Sequence, residues 1–550
     1  MEKEKRQIFI GGAWPYANNS LHVGHLAALL PGDIIARYFR KSGDNVLYVS
    51  GSDCHGTPIT LRANKLGTSP EVIANHYDAE FRQNFLDLDF SYDLYSATTS
   101  EYHKKRVQDF LLEVKKNGYL FEREELEDYC ECCNKFVSDR EIVGICPICG
   151  AVCDGDQCDK CLTSLTPSQL KDKKCKICNS STTEKTNKHL YFSLSAFNEI
   201  IEKYVQENEN LWRNTAVNET KKYLKEGLKD RALTRQLNWG VKLPFEGFDD
   251  KRVYVWFEAV LGYLTAGEQV AKQQNFDFDL VLKNPKTTCY YVHGKDNIVF
   301  HTIILPALLQ AIDEKYEKPK MIVSCEYVNI AGDKMSKSKG NLITVNSLLE
   351  NFASDSIRYF FSYNNPERRD TSFSIDDFIE IHNKHLVGGY GNFVNRNLSF
   401  LFKKYNGIVP KLCLFDEVKQ KVDECYEKCK EFYEKGDVKE ASQEIYSLIQ
   451  FSNKFYDESK PWTLYENEKE EFDKVTSNCL YLICNIANIS QPIMPKAARK
   501  VKEFLGVGEN DFSAVSYDEN IILKDISILF ERINAKDVDL TKGAGDTLKI

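Results

Sequence analysis

The order of apolar and polar positions divides the chain into three stretches. From residue 7 to about 118, short apolar runs alternate with helical periodicity. QIFIGG and NVLYVSG read as strands, and LHVGHLAALLPGDIIARYFRKSG reads as the helix between them. SPEVIANHYDAEFRQNFLDL and SEYHKKRVQDFLLEVKKNG carry apolar residues at three-to-four spacing and predict two further helices. Strands that alternate with helices predict a parallel, doubly wound sheet. From 119 to about 240 the rhythm is broken by cysteine pairs and turns, and then by helices. RVYVWFEAV and TTCYYVHGKD read as returning strands, followed by a helix at HTIILPALLQ, so one α/β domain is split by an insertion. After KMIVSCEYVNIAGDKMSKSKGN the pattern is mainly helical from about 346, with long amphipathic segments to about 506. The last forty residues are mixed and polar. No internal repeat or low-complexity tract interrupts this order.

Length and composition add bounds. A chain of 550 residues is too long for one core and implies three or four domains. With 42% apolar and 28% charged residues the composition is that of a soluble globular protein. No apolar run approaches the roughly 20 residues that cross a bilayer. The charged start MEKEKRQIFI runs straight into a strand and is no signal peptide, so the expected compartment is the cytosol. A net charge of −9 argues against a uniformly basic nucleic-acid binder but leaves room for local basic patches. Ten of the 18 cysteines fall between Cys130 and Cys178, which in a cytosolic chain points to metal and not to disulfides.

Two segments carry candidate chemistry. IFIGGAWPYANNSLHVGH places a glycine-rich turn after the first strand and a helix start near Asn19–Ser20, both good capping residues. The end of a first strand feeding a helix N-terminus is where open α/β sheets bind anions. His22 and His25, three apart, fall on one helix face, and Gly24 lets a flat group approach the backbone. The segment fits a nucleotide, with adenine against Gly24 and phosphates beside the imidazoles. Spacing alone does not separate this from two ordinary, partly buried histidines. The second segment, AGDKMSKSKGN, is a lysine–serine loop flanked by glycines; Lys334 and Lys337 suit a triphosphate whose charge shifts during reaction.

PYANNSLHVGH and KMSKS resemble the two signatures of the class I aminoacyl-tRNA synthetases. GSDCHGTP, YVWFEAVLGY, HGKDNIVFH, the cysteine-pair insertion, NFVNR and KPW resemble, in order and spacing, the methionyl members of that family. The likeness spans residues 7 to about 530. It implies a Rossmann-like catalytic domain at 1–118 and 241–325, a zinc-binding insertion at 119–240, a KMSKS-containing linker at 326–385, a helical anticodon-binding domain at 386–530 and a tail at 531–550. It implies activation of L-methionine with ATP and Mg²⁺ to methionyl-adenylate and pyrophosphate, then transfer to the 3′ end of tRNA(Met), initiator and elongator. Catalysis falls to His22, His25, Lys334 and Lys337; Gly24 and Asp296 join them around ATP. The methionine pocket falls to Ala13, Trp14, Tyr16, Asp53, Trp256, Ala259, Tyr263 and His301. Asp53 takes the ammonium, the aromatics wall a side chain that is nearly apolar, and His301 closes the sulfur end. Two departures bear on pocket shape: Trp14 stands where many relatives have leucine, and Glu258-Ala259-Val260 replaces Asp-Ala-Pro.

Four C-x2-C pairs, Cys130/Cys133, Cys146/Cys149, Cys158/Cys161 and Cys175/Cys178, supply eight thiolates, enough for two tetrahedral Zn²⁺ sites. Nested, sequential and interleaved pairings all satisfy that count; the short AVCDGDQ loop between the middle pairs favours nesting, and the family resemblance implies it, with one or two structural Zn²⁺ ions because some relatives keep only the inner site. Cys132 and Cys153 fall outside the spacing. In the helical part the resemblance assigns Asn392, Arg396 and Trp462 to the anticodon, read by edge hydrogen bonds and stacking. Nothing like the appended dimer-forming domain of some relatives follows residue 530, so a monomer is expected. The rivals are another class I synthetase, and a zinc-ribbon RNA-binding protein without catalysis. There is no room for the large editing insertion of the isoleucine, valine and leucine enzymes, and intact HVGH and KMSKS segments oppose the binding protein.

Overall fold

The computed structural model describes residues 5–137, 141–155, 158, 160–161, 165, 167–330, 343–524, 526–543 and 548, and the backbone of 333–334. The expected doubly wound sheet is present. Strands β1 (Gln7–Gly12), β2 (Asn45–Ser52), β3 (Leu94–Ala97), β4 (Thr287–Gly294) and β5 (Met321–Cys325) form one sheet in the order β5-β4-β1-β2-β3. Every pairing is parallel. β1 is buried along nearly its whole length, as a central strand covered on both faces must be. Strand order reverses between β1 and β4, and the crevice at the carboxyl ends of these two strands is where such sheets bind ligands.

Helix α1 (Val23–Lys41) leaves β1 and returns the chain to β2. Its start corrects the sequence reading. The N-cap is His22, not Asn19 or Ser20. His22 Nδ1 accepts from Gly24 N–H at 3.1 Å, and His25 Nδ1 accepts from His22 N–H at 3.2 Å. The two imidazoles thus form a reciprocal capping box, a task usually given to short polar side chains and Glu or Gln.

A second correction concerns RVYVWFEAV. Only Arg252–Val253 is strand; Val255–Gln274 is a helix, α3 once α2 (Glu101–Lys116) is counted. Thirteen of its 20 residues are buried, because it packs beneath the sheet and against α2. An apolar run covered on most sides loses the polar face that marks a helix, and its valines and aromatics imitate a strand. Trp256, Ala259 and Tyr263 therefore share a helix face at intervals of three and four, and do not sit on strand ends.

The insertion has two parts. A long antiparallel ribbon, Leu120–Cys130 with Thr183–Phe192, carries at its far end a small three-stranded sheet of Ile142–Ile145, Val152–Asp154 and Lys171–Cys175. This end has a separate core made mostly of cysteines, with Val137, Ile142, Leu165 and Leu170. Helices Asn198–Asn208 and Asn214–Glu226 instead bury Ile201, Tyr204, Val205 and Ala216 in the core beneath the parallel sheet.

Beyond β5, Val328–Ile330 pairs with Asp333–Lys334 and with Thr371–Phe373. The helical part follows with Asn392–Lys404, Asp416–Lys435, Val438–Ser459, Lys469–Ser490 and Pro495–Leu505. Lys469–Ser490 is buried from Val475 to its end and carries three buried asparagines. Asn478, Asn485 and Asn488 donate to carbonyls of Cys413, Val515 and Ser513 respectively, which fastens irregular chain to the bundle. Among the described residues no helix is long and apolar enough to cross a membrane.

Candidate active site

At the crevice between β1 and β4 lies a cavity of about 480 Å³. It is lined by Ala13, Trp14, Tyr16, Asp53, Trp256, Ala259, Tyr263 and His301, and also by His22, Gly24, His25 and Asp296. Residues selected for two different ligands thus line one space. Pro15, Ala28, Leu29, Val260, Gly294, Asn297, Phe300, Glu326, Tyr327 and Val328 complete it; of these only Val260 was singled out from the sequence, as a departure bearing on pocket shape.

At the opposite end of the cavity from His22 and His25, Asp53 follows β2 and is buried, 3% exposed. Burial, and next the Glu258 carboxylate, push its pKa well above the ordinary carboxylate value. Among the described residues no cation lies within ion-pair distance of it, so its carboxyl is open to a cationic group brought in from outside. Tyr16 runs beside Asp53 as a parallel bridge, and its hydroxyl donates to the His55 carbonyl. Trp14 lies edge-on to Tyr263 at 6.4 Å between centroids. Two glycines make room for it: a Cβ at Gly51 or Gly262 would stand 2.6 or 2.5 Å from the Trp14 ring.

The far wall is neutral and apolar. His301 Nδ1 donates to the Asn297 carbonyl at 2.8 Å, so its Nε2 accepts from the Tyr263 hydroxyl, also at 2.8 Å. Burial lowers the His301 pKa to about 4 and keeps the ring uncharged. It stacks on His293 at 4.2 Å. Trp256 is 45% exposed at the rim and packs edge-on against Phe300 at 4.6 Å. Together these present polarisable faces with one carboxylate at the opposite end.

At the end lined by His22, Gly24 and His25 the capping box sets proton positions. Both Nδ1 atoms accept backbone N–H bonds, so in each neutral ring the proton sits on Nε2. The helix N-terminus adds its partial positive charge at the same point. Asp296, in the 3₁₀ turn Lys295–Asn297 after β4, accepts from the Tyr327 hydroxyl. Lys295 bridges Glu326 at 2.8 Å and Asp370 at 2.9 Å beside it.

The Lys334 backbone pairs with Asn329. Lys337 lies outside the described residues. Where the chain re-enters them it is held against the histidine cap: His22 bridges Thr344, Val23 N–H donates to Ile343 O at 3.1 Å, and Val345 N–H donates to Leu21 O at 2.8 Å. The segment that follows the lysine motif in sequence is thus paired with the histidine cap.

The eight cysteines separate into two nested groups, Cys130/Cys133/Cys175/Cys178 and Cys146/Cys149/Cys158/Cys161, each with its sulfurs within 4.8 Å of one another. Zn–S bonds of about 2.3 Å in a tetrahedron require S···S near about 3.8 Å. The closest Sγ pairs stand at 3.3 and 3.9 Å in the first group and at 3.8 and 3.5 Å in the second. Both groups therefore fit a tetrahedral thiophilic ion. Cys132 is exposed and Cys153 is buried in the small core, neither in a group.

On the helical part, Arg396 ion-pairs with Asp457 at 2.8 Å and lies 3.9 Å above the Tyr456 ring. Trp462, 45% exposed, meets the other side of this cluster at 5.4 Å from Tyr456. Asn392 is exposed one turn before Arg396.

The sequence matches the family model of tRNA synthetases class I (M) over residues 8–398 and that of the anticodon binding domain of methionyl tRNA ligase over 412–528. Methionine–tRNA ligase 1 of Alkaliphilus oremlandii is 44% identical over 529 residues, which cover 96% of this chain and 98% of the relative. A methionine–tRNA ligase of Bacillus cereus is 45% identical over 534 residues, 97% of this chain and 98% of the relative. A solved Mycobacterium tuberculosis methionyl-tRNA synthetase in complex with methionyl-adenylate shares the fold, with a TM-score of 0.80 at 23% identity over 96% of this chain and 100% of that one. On sequence and fold together, the chain belongs to the methionine family of class I tRNA synthetases.

Proposed function

We propose that the chain is a methionine–tRNA ligase. It joins L-methionine to ATP as methionyl-adenylate, with release of pyrophosphate, and then passes the methionyl group to the 3′ end of tRNA(Met), initiator or elongator. The observation that carries this reading is the shared cavity: a buried, unpaired carboxylate and a neutral aromatic wall at one end, and imidazole N–H donors at a helix N-terminus at the other.

In the first step a methionine carboxylate oxygen attacks the α-phosphorus and the bond to the bridging oxygen of pyrophosphate breaks. Asp53 holds the ammonium. Tyr16, Trp14, Trp256, Ala259, Tyr263 and Ala13 enclose the side chain, and neutral His301 meets the thioether without asking it for a strong hydrogen bond. The Nε2–H groups of His22 and His25 donate to phosphate oxygens as charge builds on them, Gly24 lies beside adenine, and Asp296 meets the ribose. Lys334 and Lys337 neutralise the departing pyrophosphate, and Mg²⁺ enters with ATP. Positioning and charge stabilisation carry such a transfer with little covalent help from the protein. In the second step a hydroxyl of the terminal adenosine attacks the methionyl carbonyl and AMP leaves.

Each cysteine group is assigned a Zn²⁺, whose contribution is structural: four thiolates leave no position for a reacting water. Asn392, Arg396 and Trp462 are assigned to the anticodon. The functional division runs 1–118 and 241–325 for activation, 119–240 for the acceptor end, 326–385 for the lysine loop, 386–530 for the anticodon and 531–550 as tail. The protein acts as a monomer. ATP–pyrophosphate exchange with each amino acid in turn tests the reading. Exchange with methionine alone is expected; exchange with a different amino acid would move the chain to another class I specificity, and none with any would leave a binding protein.

A further inference from the structure

One carboxylate beside the cavity has no part in the reaction described above. Glu258, in the first turn of α3, is fully buried. It does not line the cavity, although Ala259 and Val260 do. Its oxygens accept from His55 Nδ1 at 2.9 and 3.1 Å. His103 Nε2 stands 3.7 Å away on the other side, and His103 Nδ1 meets the Thr265 hydroxyl at 2.9 Å. Burial opposes ionisation of Glu258, yet His55 and His103 together hold it below the ordinary carboxylate value. The helix N-terminus favours the same anionic form.

What Glu258 holds is the turn that faces the amino-acid end. The His55 carbonyl anchors the Tyr16 hydroxyl, and the His55 N–H points to Asp53 Oδ1 at 3.5 Å. Trp239 Nε1 ties the intervening Cys54 carbonyl at 2.7 Å. The turn ends at Gly56, whose φ of 100° and close approach to the Tyr16 hydroxyl admit no side chain. On its second side, His103 lies beside the Trp14 ring at 6.0 Å.

We propose that Glu258 is the positioning residue of the amino-acid pocket: it grips His55 from behind and so fixes the turn that presents Asp53 to the substrate ammonium and anchors Tyr16. The proposal rests on the methionine reading given above. It assigns a purpose to one of the two departures noted in the sequence, the Glu of FEAV, whose longer side chain spans from α3 to the His55 ring.

The test is steady-state ATP–pyrophosphate exchange with wild type, E258A, E258Q, H55A and the double variant E258A/H55A. For E258A, KM for methionine rises about tenfold while KM for ATP stays near wild type, the loss expected when a buried hydrogen-bonding partner is removed. E258Q keeps the chain length and one accepting oxygen for His55, so it shifts the same constant in the same direction by less; it carries the test if E258A does not fold. The double variant is no worse than E258A, because both changes break one contact. Unchanged methionine KM, or methionine and ATP KM rising together, overturns the role of Glu258. Wild-type exchange is read first: its absence with methionine overturns the reading of the site itself, whereas its presence with indifferent variants overturns only this proposal.

Discussion

Asp53 shows how one residue can be costly to the fold and, on the proposed function, necessary to the site. Its pKa is raised by burial and then by Glu258. A carboxylate with a raised folded-state pKa binds its proton more tightly in the native chain than in the unfolded one. Its ionisation therefore subtracts stability as pH rises above the unfolded value of about 4. The substrate ammonium reverses this by pairing the anion. Asp53→Asn is accordingly expected to leave the thermal midpoint of the free protein no lower than wild type, while KM for methionine rises at least about thirtyfold, the lower bound for losing a buried charge pair. Wild-type KM for methionine should also climb as pH falls through the raised pKa, and the variant should show no such climb. Exchange kinetics across mildly acidic to neutral pH check both. Asp53, Tyr16, Trp256, Tyr263 and His301 were picked out through the family motifs that contain them, and the structure brings all five to one cavity although Trp256 and Tyr263 lie on a helix and not at strand ends. Asn297, Glu326 and Tyr327 were not picked out: they occupy short connections after strands, where no periodicity marks which way a side chain turns.

At the level of elements, the start of α1 joins stability to chemistry. His22 is at once the N-cap and the holder of an Nε2–H donor. Asparagine caps helices well but places no donor at the Nε2 position, and alanine does neither. His22→Asn should keep the thermal midpoint close to wild type yet slow adenylate formation by about 10²–10³, the usual loss for one donor to a transition-state anion. His22→Ala should add a stability loss of about 1 kcal/mol. Equal midpoints for the two variants would contradict the capping role. The helix itself was legible, but its first residue was not, because Asn19 and Ser20 are better caps on propensity and the pairing of residues 21–23 with 343–345 decides the boundary instead. RVYVWFEAV was misread for a related reason: tertiary burial removed the polar face of α3. The cysteine pairs, by contrast, fix their own element. Their small core contains little else that is apolar, so a chelator should make the segment from Cys130 to Cys178 protease-sensitive while methionine-dependent exchange persists on the separate catalytic core. Cleavage elsewhere first, or exchange lost at the same chelator concentration, would contradict that independence.

Across the whole molecule, one apolar core runs from one face of the sheet through α1 into the helical part, including Ile34, Phe360, Leu448 and Ile483. The amphipathic helices made the helical part legible, but continuity of this kind depends on residues hundreds of positions apart and leaves no local signal. Two arginines fasten the join. Arg358, fully buried, pairs with Asp33 of α1 at 2.7 Å and donates to carbonyls of Ile493 and Pro492. Arg213, just before the insertion helix Asn214–Glu226, donates to Ser324 O of β5 at 2.6 Å and to Gly436 O of the helical part at 2.7 Å. It also lies 3.7 Å from Glu367 and 3.8 Å from Asp437. Burial raises the pKa of both acids, and Arg213 is the first group that opposes the rise. The side chains of all three are at most 13% exposed, so solvent screens little of the interaction. Arg213→Ala should then destabilise the protein by about 3–5 kcal/mol near neutral pH, because buried anions lose their cation. The sign of the pH effect follows: without Arg213 both acids rise further, the native state takes up protons that the unfolded state does not, and the deficit shrinks as pH falls toward the point where they are neutral. Urea unfolding of wild type and variant at neutral and mildly acidic pH measures this, and a deficit that grows in acid would contradict it. Because Arg213 joins insertion, sheet edge and helical part, the same variant should lose more tRNA charging than pyrophosphate exchange when both are measured under conditions where it remains folded; equal losses would mean that the join supports the activation site itself and not the geometry between that site and the helical part.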